Sequence, residues 1–370
     1  MQEKHAIKHF APGWFAVVMG TGGLANILFL WERQFPSLWR GSFAIAALAD
    51  LTYLVLLFPW LLRWLRHFEY VRRDLHHPIT TNFFVTMPVA TVILGTNIHL
   101  IWAPFLGREW TFALMLGCWA VAIVGVAAFT LFTTFRFIRT ETPPDPDTMN
   151  FSWIMAPIAN MALLLLGNQV LGSVLSLHPA WALTVFAMNA AMFGIGFFLL
   201  LFVGAIIFVR LAQHPLPPAE TTPTFGIFLS AAGLAMSGLL DLGGHAKTLG
   251  LVTETGLFAI AAATVWGFGM WILALIALIC LYQLRRGGIP FGLGWWAFVF
   301  PLAAYTIGSQ KVAARFPSAL TQGYAIFLTL LLIALWAYIL VNTLRGIAQG
   351  TLFMGRPLAV PQESCGDTGF

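Results

Sequence analysis

Ten long apolar stretches follow one another along this chain, parted by short polar connections: Pro12–Leu30, Ser42–Leu65, Thr81–Trp102, Thr111–Phe135, Asn150–Val170, Trp181–Val209, Thr224–Leu242, Thr255–Tyr282, Trp295–Val312 and Leu320–Leu344. A helix rises about 1.5 Å per residue, so roughly 20 residues cross the hydrocarbon core of a bilayer. The pattern predicts an all-α integral membrane protein of ten transmembrane helices. They form a single domain over residues 1–350, with 351–370 as a cytoplasmic C-terminal tail.

The stretches alternate in character. The first, third, fifth, seventh and ninth hold helix-breaking or small residues: Pro12 with Gly20, Gly22 and Gly23, then Pro88, Pro157, Gly226 with Gly233, and Pro301. The even stretches are plainer, with Pro59 near the end of the second. A proline-interrupted helix leaves backbone groups unpaired, which lipid does not tolerate, so such helices belong against protein or a watery path. The expected architecture is five helical hairpins whose kinked odd members ring a central pore. Thr21, Gly22, Met87, Pro88, Thr91, Ala156, Pro157, Ser230, Gly233 and Pro301 are the candidate pore-lining residues.

Charge then sets the orientation. Only 9% of residues are Asp, Glu, Lys or Arg, against roughly 25% in a soluble domain. With the N-terminus inside, thirteen of the nineteen Lys and Arg residues fall in inner segments, as the positive-inside rule requires. Both termini are then cytoplasmic, in a plasma or inner membrane. The basic balance needs no nucleic-acid partner. Met1–Phe10 is long and polar with no small-residue cleavage site, so the first stretch is not expected to be a signal peptide.

Candidate chemistry is sparse. Cys118, Cys280 and Cys365 form no framework, and the nine histidines show no metal-ligand spacing. No metal, cofactor or catalytic residue is expected, and no phosphate loop is present. Rings of Asp or Glu, which cation conduction wants, are missing. Small, weakly polar residues on broken helices suit anions instead, although the same hydroxyls and glycines also serve close packing. Asp50 and Glu254 are the candidates for proton or charge coupling. A membrane-embedded enzyme is the other class considered; it needs a convergent His, Asp or Glu cluster that the sequence does not assemble.

Three motifs carry a family resemblance: Phe10-Ala-Pro-Gly-Trp-Phe-Ala-Val-Val-Met-Gly-Thr-Gly-Gly-Leu-Ala25, His77-Pro-Ile-Thr-Thr-Asn-Phe-Phe-Val-Thr-Met-Pro88, and Gly294-Trp-Trp-Ala-Phe-Val-Phe-Pro301 with Phe316-Pro-Ser318 after it. In order and spacing the chain resembles the tellurite-resistance/dicarboxylate transporter family. That family includes bacterial tellurite-resistance proteins, plant slow anion channels, fungal malic acid transporters and sulfite efflux pumps. The resemblance implies ten helices in five hairpins, a homotrimer with one pore per subunit, and transport of small anions, with C4-dicarboxylates such as malate as the leading substrate class. A passive channel or efflux system for sulfite, tellurite, nitrate or chloride is the alternative. It also implies that a phenylalanine of the ninth helix plugs the pore, and the matching residue is Phe300. Met87 and Ala156, which likewise precede interior prolines, are expected at equivalent inner positions. The chain departs from many relatives in the seventh helix, where Leu229-Ser-Ala-Ala-Gly-Leu-Ala235 stands in place of a proline pair.

The topology makes a direct prediction. Cysteines placed at Glu3 and Arg72 resist an impermeant thiol reagent applied outside intact cells, and one at Lys247 reacts. Labelling at the first two positions contradicts the orientation.

Overall fold

The computed structural model describes residues 7–139, 144–350 and 352; the expected tail therefore lies almost wholly outside the described residues. The ten expected helices are α1 (Phe15–Trp31), α2 (Leu38–Arg66), α3 (Thr86–Asn97), α4 (Arg108–Arg139), α5 (Met155–Leu177), α6 (Ala182–Gln213), α7 (Thr224–Thr248), α8 (Gly256–Arg285), α9 (Trp296–Arg315) and α10 (Ala319–Ala348). Nine of the described helical segments are long and apolar enough to cross a membrane. The tenth, α9, falls short of that apolarity because Tyr305, Thr306, Ser309, Gln310 and Lys311 crowd its second half. It is largely buried among its neighbours, which makes a lipid-like surface unnecessary.

Burial separates two layers. In the odd spans before α9, 72–83% of the most apolar window is buried; in the even spans the share is 22–28%. The odd helices pack in a closed ring, α1 on α3, α3 on α5, α5 on α7, α7 on α9 and α9 back on α1. Each even helix backs its hairpin partner and turns side chains such as Leu51, Phe58, Val124, Leu131, Phe202, Leu278 and Leu330 outward, as a lipid-facing surface would.

Small residues close the ring. An added Cβ at Gly233 would lie 2.4 Å from the α9 backbone at Ala304 and Tyr305, and one at Gly226 would lie 2.4 Å from the Ala297 carbonyl oxygen. Gly20 and Gly23 receive Val299 and Ala303 of α9, Gly22 receives Ile93 of α3, and Gly95 receives Leu166 of α5. Helices in lipid associate through such close packing because burial away from water gives them no drive toward each other.

Polar pairs stitch the outer layer to the inner one. Trp31 Nε1 donates to Thr329 Oγ1 at 3.0 Å, Trp296 Nε1 to Thr343 Oγ1 at 3.0 Å, and Trp336 Nε1 to Thr21 Oγ1 at 3.1 Å. Tyr305 Oη donates to the Trp266 carbonyl, and Asn160 Nδ2 to Thr130 Oγ1. An indole or phenol shows an apolar body to the bundle and must place its one donor.

The prolines break the inner helices less than expected. Each odd helix is led in by a 3-10 turn: Pro12–Trp14, Thr80–Val85, Phe151–Ile154, Ala219–Thr221 and Leu293–Trp295. Pro12 lies in such a turn, Pro88 and Pro157 are the third residues of their helices, and Pro223 is the N-cap of α7. A proline near a helix start sacrifices little, because the first N–H groups lack regular helical partners. Pro301 alone among the inner helices sits in a helix interior. The other irregularity is a π turn at Ile98–Trp102 beyond α3, where Asp50 takes 2.7 Å hydrogen bonds from Asn97 Nδ2, just before the turn, and from Trp102 Nε1, its last residue.

Three arginines fix the loops at the end from which the inner helices start. Arg63, 3% exposed, donates to the carbonyls of Lys8, Phe10 and Tyr70 and pairs with Asp74 at 2.5 Å. Arg136 donates to the carbonyls of Leu75 and His76. Arg210 donates to those of Pro146 and Pro215 and pairs with Asp147 at 3.4 Å. Planar, permanently charged guanidinium groups suit this multivalent capture, and the loops they hold lead into α1, α3, α5 and α7.

The α7–α9 seam gives a stability prediction. Gly233→Ala forces the two backbones apart and lowers stability by about 1–3 kcal/mol. Gly244→Ala, where an added Cβ meets nothing within 4 Å, is neutral or raises stability by up to about 1 kcal/mol. Thermal unfolding of the two purified variants in detergent checks the difference.

Candidate functional site

A cavity of about 240 Å3 lies where the five inner helices begin. Its outer wall is made of the segments that lead into those helices, including Ala11, Pro12, Gly13, Ile79, Thr80, Phe83, Leu293 and Gly294. Deeper, each inner helix offers one face: Ala16 and Met19 of α1, Thr86 and Val89 of α3, Met155, Ile158, Ala159 and Ala162 of α5, Ile227 and Ser230 of α7, and Trp296, Ala297, Phe300 and Pro301 of α9. The spacing by three and four is one stripe of an α-helix. Among the described residues no charged one belongs to this lining.

Of the candidate gate and pore-lining residues, Ser230, Phe300 and Pro301 meet at this cavity. The others lie on helix seams. Thr21 accepts from Trp336, and Gly22 makes room for Ile93. Thr91 pairs with Tyr53 of α2 at 2.7 Å and shares that side of α3 with the Met87 sulfur at 3.6 Å. Pro88 abuts Gly125 of α4, and Gly233 abuts the α9 backbone. Ala156 is buried within α5 outside the lining, and Pro157 faces Gly196 of α6. Pro157 also borders a second hollow of about 1240 Å3 that lies beside α4 and α6, outside the ring.

The expected equivalence of Met87, Ala156 and Phe300 does not hold. Pro88 and Pro157 are the third residues of their helices, but Pro301 is the sixth. The residues before them therefore point along different faces. Counted from the helix starts, Phe300 matches Met19 of α1 and Ala159 of α5, with Val89 of α3 and Ile227 of α7 one residue earlier, and all five line the cavity. Phe300, 5% exposed, is the bulkiest of this set. The periodic signal for this stripe is present in the sequence, whereas polarity and nearness to proline pick out mostly residues that the structure puts on helix seams.

Hydrogen bonding leaves the wall weakly polar. The Thr86 hydroxyl is engaged by the carbonyls of Pro12 at 2.8 Å and Phe83 at 2.7 Å, and Ser230 donates to the Ile227 carbonyl at 2.6 Å. Both oxygens keep lone pairs but have committed their protons. The first turns of α1, α3, α5 and α9 contribute to the wall, so the positive ends of several helix dipoles converge there. At the rim, His77 Nδ1 accepts from the backbone N–H groups of Ile79 at 3.3 Å and Thr80 at 3.2 Å. Burial pushes the His77 pKa down, which favours the neutral ring that this acceptance requires.

Asp50 and Glu254 do not join the cavity. Asp50, 9% exposed, has both oxygens engaged at the α2–α3 contact. Glu254 is exposed in the connection between α7 and α8.

Residues 9–344 match the sequence profile of the voltage-dependent anion channel family, SLAC1. An uncharacterized transporter of Methanocaldococcus jannaschii is 29% identical over 94% of this chain and 96% of its own. A sulfite efflux pump of Trichophyton rubrum is 27% identical over 94% and 93%. A tellurite resistance protein TehA homolog of Haemophilus influenzae is 22% identical over 92% of each chain. The comparisons support anion transport. The chain belongs to the voltage-dependent anion channel family.

Proposed function

We propose that this protein conducts small anions through the axis of the five inner helices and that Phe300 closes the path. The observation that carries the reading is the charge-free cavity at the starts of those helices, with Phe300 in its wall. A helix start presents about half a positive charge, which attracts an anion without binding it as tightly as a Lys or Arg would. The rigid Phe300 ring beside Pro301 narrows the path and excludes water.

The lining bears on the substrate. A C4-dicarboxylate such as malate carries two negative charges, and the cavity supplies no side-chain cation for either. Small singly charged inorganic anions, chloride and nitrate among them, suit such a wall better. The similarity to a sulfite efflux pump points toward inorganic anions as well. We assign the protein to passive conduction rather than proton-coupled transport, because Asp50 and Glu254 both lie away from the cavity. A homotrimer with one path per subunit and cytoplasmic termini completes the reading; mixing wild-type and blocked subunits then lowers flux in proportion to the blocked fraction.

Phe300→Ala tests the gate. Reconstituted in liposomes, the variant carries severalfold more chloride or nitrate per folded subunit than wild type, with current independent of an imposed pH gradient. If Phe300 is only a packing residue, its truncation costs about 3–5 kcal/mol and melting temperature falls with no rise in flux.

A further inference from the structure

On the conduction proposed above, the cavity is the first part of a path that follows its lining stripes along the helices. Eleven residues make just over three full turns, so residue i+11 lies over residue i at a distance of about 16 Å. On α9 the residue eleven after Phe300 is Lys311; on α7 the residue eleven after Ser230 is Asp241. These two side chains meet, with Lys311 Nζ 2.5 Å from Asp241 Oδ2. Asn168 Nδ2 of α5 donates to the same oxygen at 3.3 Å. Three neighbouring inner helices thus converge on one carboxylate at the end opposite the cavity.

The pair is not sealed in the protein. Lys311 and Asp241 retain 31% and 27% exposure of their side chains, so the junction is partly open to solvent. One turn toward the cavity from Asp241, on the same side of α7, the Ser237 hydroxyl is buried without a hydrogen-bond partner. His245 of α7, one turn beyond Asp241, feels both Asp241 and Lys311. Lys311 differs from Lys247 and Arg315, the other Lys and Arg residues in the five inner helices, because those two are exposed.

We propose that Lys311 is the anion-binding residue of this second mouth, and that Asp241 is a tethered competitor for it. A permeating anion displaces the Asp241 carboxylate from the Lys311 ammonium, and Asn168 and Ser237 offer it an amide and a hydroxyl in passing. The ligand class is the small inorganic anion with at least one exposed acceptor atom, such as chloride or nitrate. The tethered carboxylate keeps the site from holding its ligand too tightly, since conduction needs release as well as capture. The inference rests on the conduction proposed above.

Chloride and nitrate currents through the reconstituted full chain test it, recorded against anion concentration for wild type, Asp241→Asn, Lys311→Gln and the double variant. Each preparation is first checked for folding by gel filtration. Asp241→Asn removes the competitor and lowers the half-saturating concentration. Lys311→Gln raises it by roughly tenfold, the scale of a lost charged hydrogen bond, and reduces the preference for anions over cations. The double variant separates a binding site from a simple surface charge, because its net charge at the mouth equals that of wild type. A Lys311 site predicts that it behaves like Lys311→Gln. Wild-type behaviour in the double variant, or an unchanged half-saturating concentration in Asp241→Asn, overturns the proposal and leaves the conduction reading standing. No anion current in wild type overturns both. If Lys311→Gln fails to fold with Asp241 left unpaired, Asp241→Asn and the double variant still decide the matter.

Discussion

The close approach of α7 to α9 is the contact on which the ring depends. Gly226 and Gly233 let one backbone lie against the other, and Gly308 takes Met236 and the Gly233 carbonyl on the return side. An added Cβ at any of the three would fall under 3.0 Å from a neighbouring atom. In water, burying apolar surface would compensate for a looser fit; in lipid the alternative neighbour is equally apolar, so packing distance itself decides association. The same seam sets the direction in which Phe300 faces, and it brings Asp241 to Lys311 three turns further on. The cavity wall on these two helices and the Asp241–Lys311 pair, and with them the proposed gate and second mouth, therefore depend on one helix pair packed at backbone distance.

The polar residues divide their work by depth. Around the first mouth, guanidinium groups tie down the connecting loops, and each has carbonyl or carboxylate partners. In the cavity wall none of the described residues is charged, and the hydroxyls of Thr86 and Ser230 are already committed to backbone carbonyls. At the far mouth a partly exposed ion pair takes over. On the conduction proposed here, an anion meets helix-dipole ends, then an apolar constriction, then an exchangeable ammonium. Nothing along it holds the anion strongly, which is the condition for throughput.

Much of the architecture was legible in the sequence because lipid enforces a simple rule. Glycine and proline recur in the odd stretches and long Leu/Phe/Trp runs in the even ones, and burial follows that division. The site was less legible. Thr21, Thr91, Gly22 and Gly233 are small or polar as pore residues should be, yet the same properties suit interhelical hydrogen bonds and close seams, and there the structure puts them. Only the register within each helix separates the two uses, and the 3-10 turns ahead of the inner helices shift that register between repeats. Arg63, Arg136 and Arg210 read from the sequence as topology signals alone; their loop partners are remote in the chain. In the sequence Asp241 and Lys311 are no more than two charges near the ends of the seventh and ninth stretches, because their pairing depends on the α7–α9 packing.

The most direct test of the central claim, that one stripe from each inner helix lines a common path, is a cysteine scan read out by block of anion current. Single cysteines at Ala16, Ala159, Ala162, Ser230 and Ala297, all on the cavity wall, are exposed to a small charged thiol reagent in reconstituted protein while chloride current is recorded. Thr21, Ala156 and Gly125, on seams between helices, serve as controls. The account predicts block at the first five positions and little change at the last three. Block at the seam positions with none at the wall positions would contradict it.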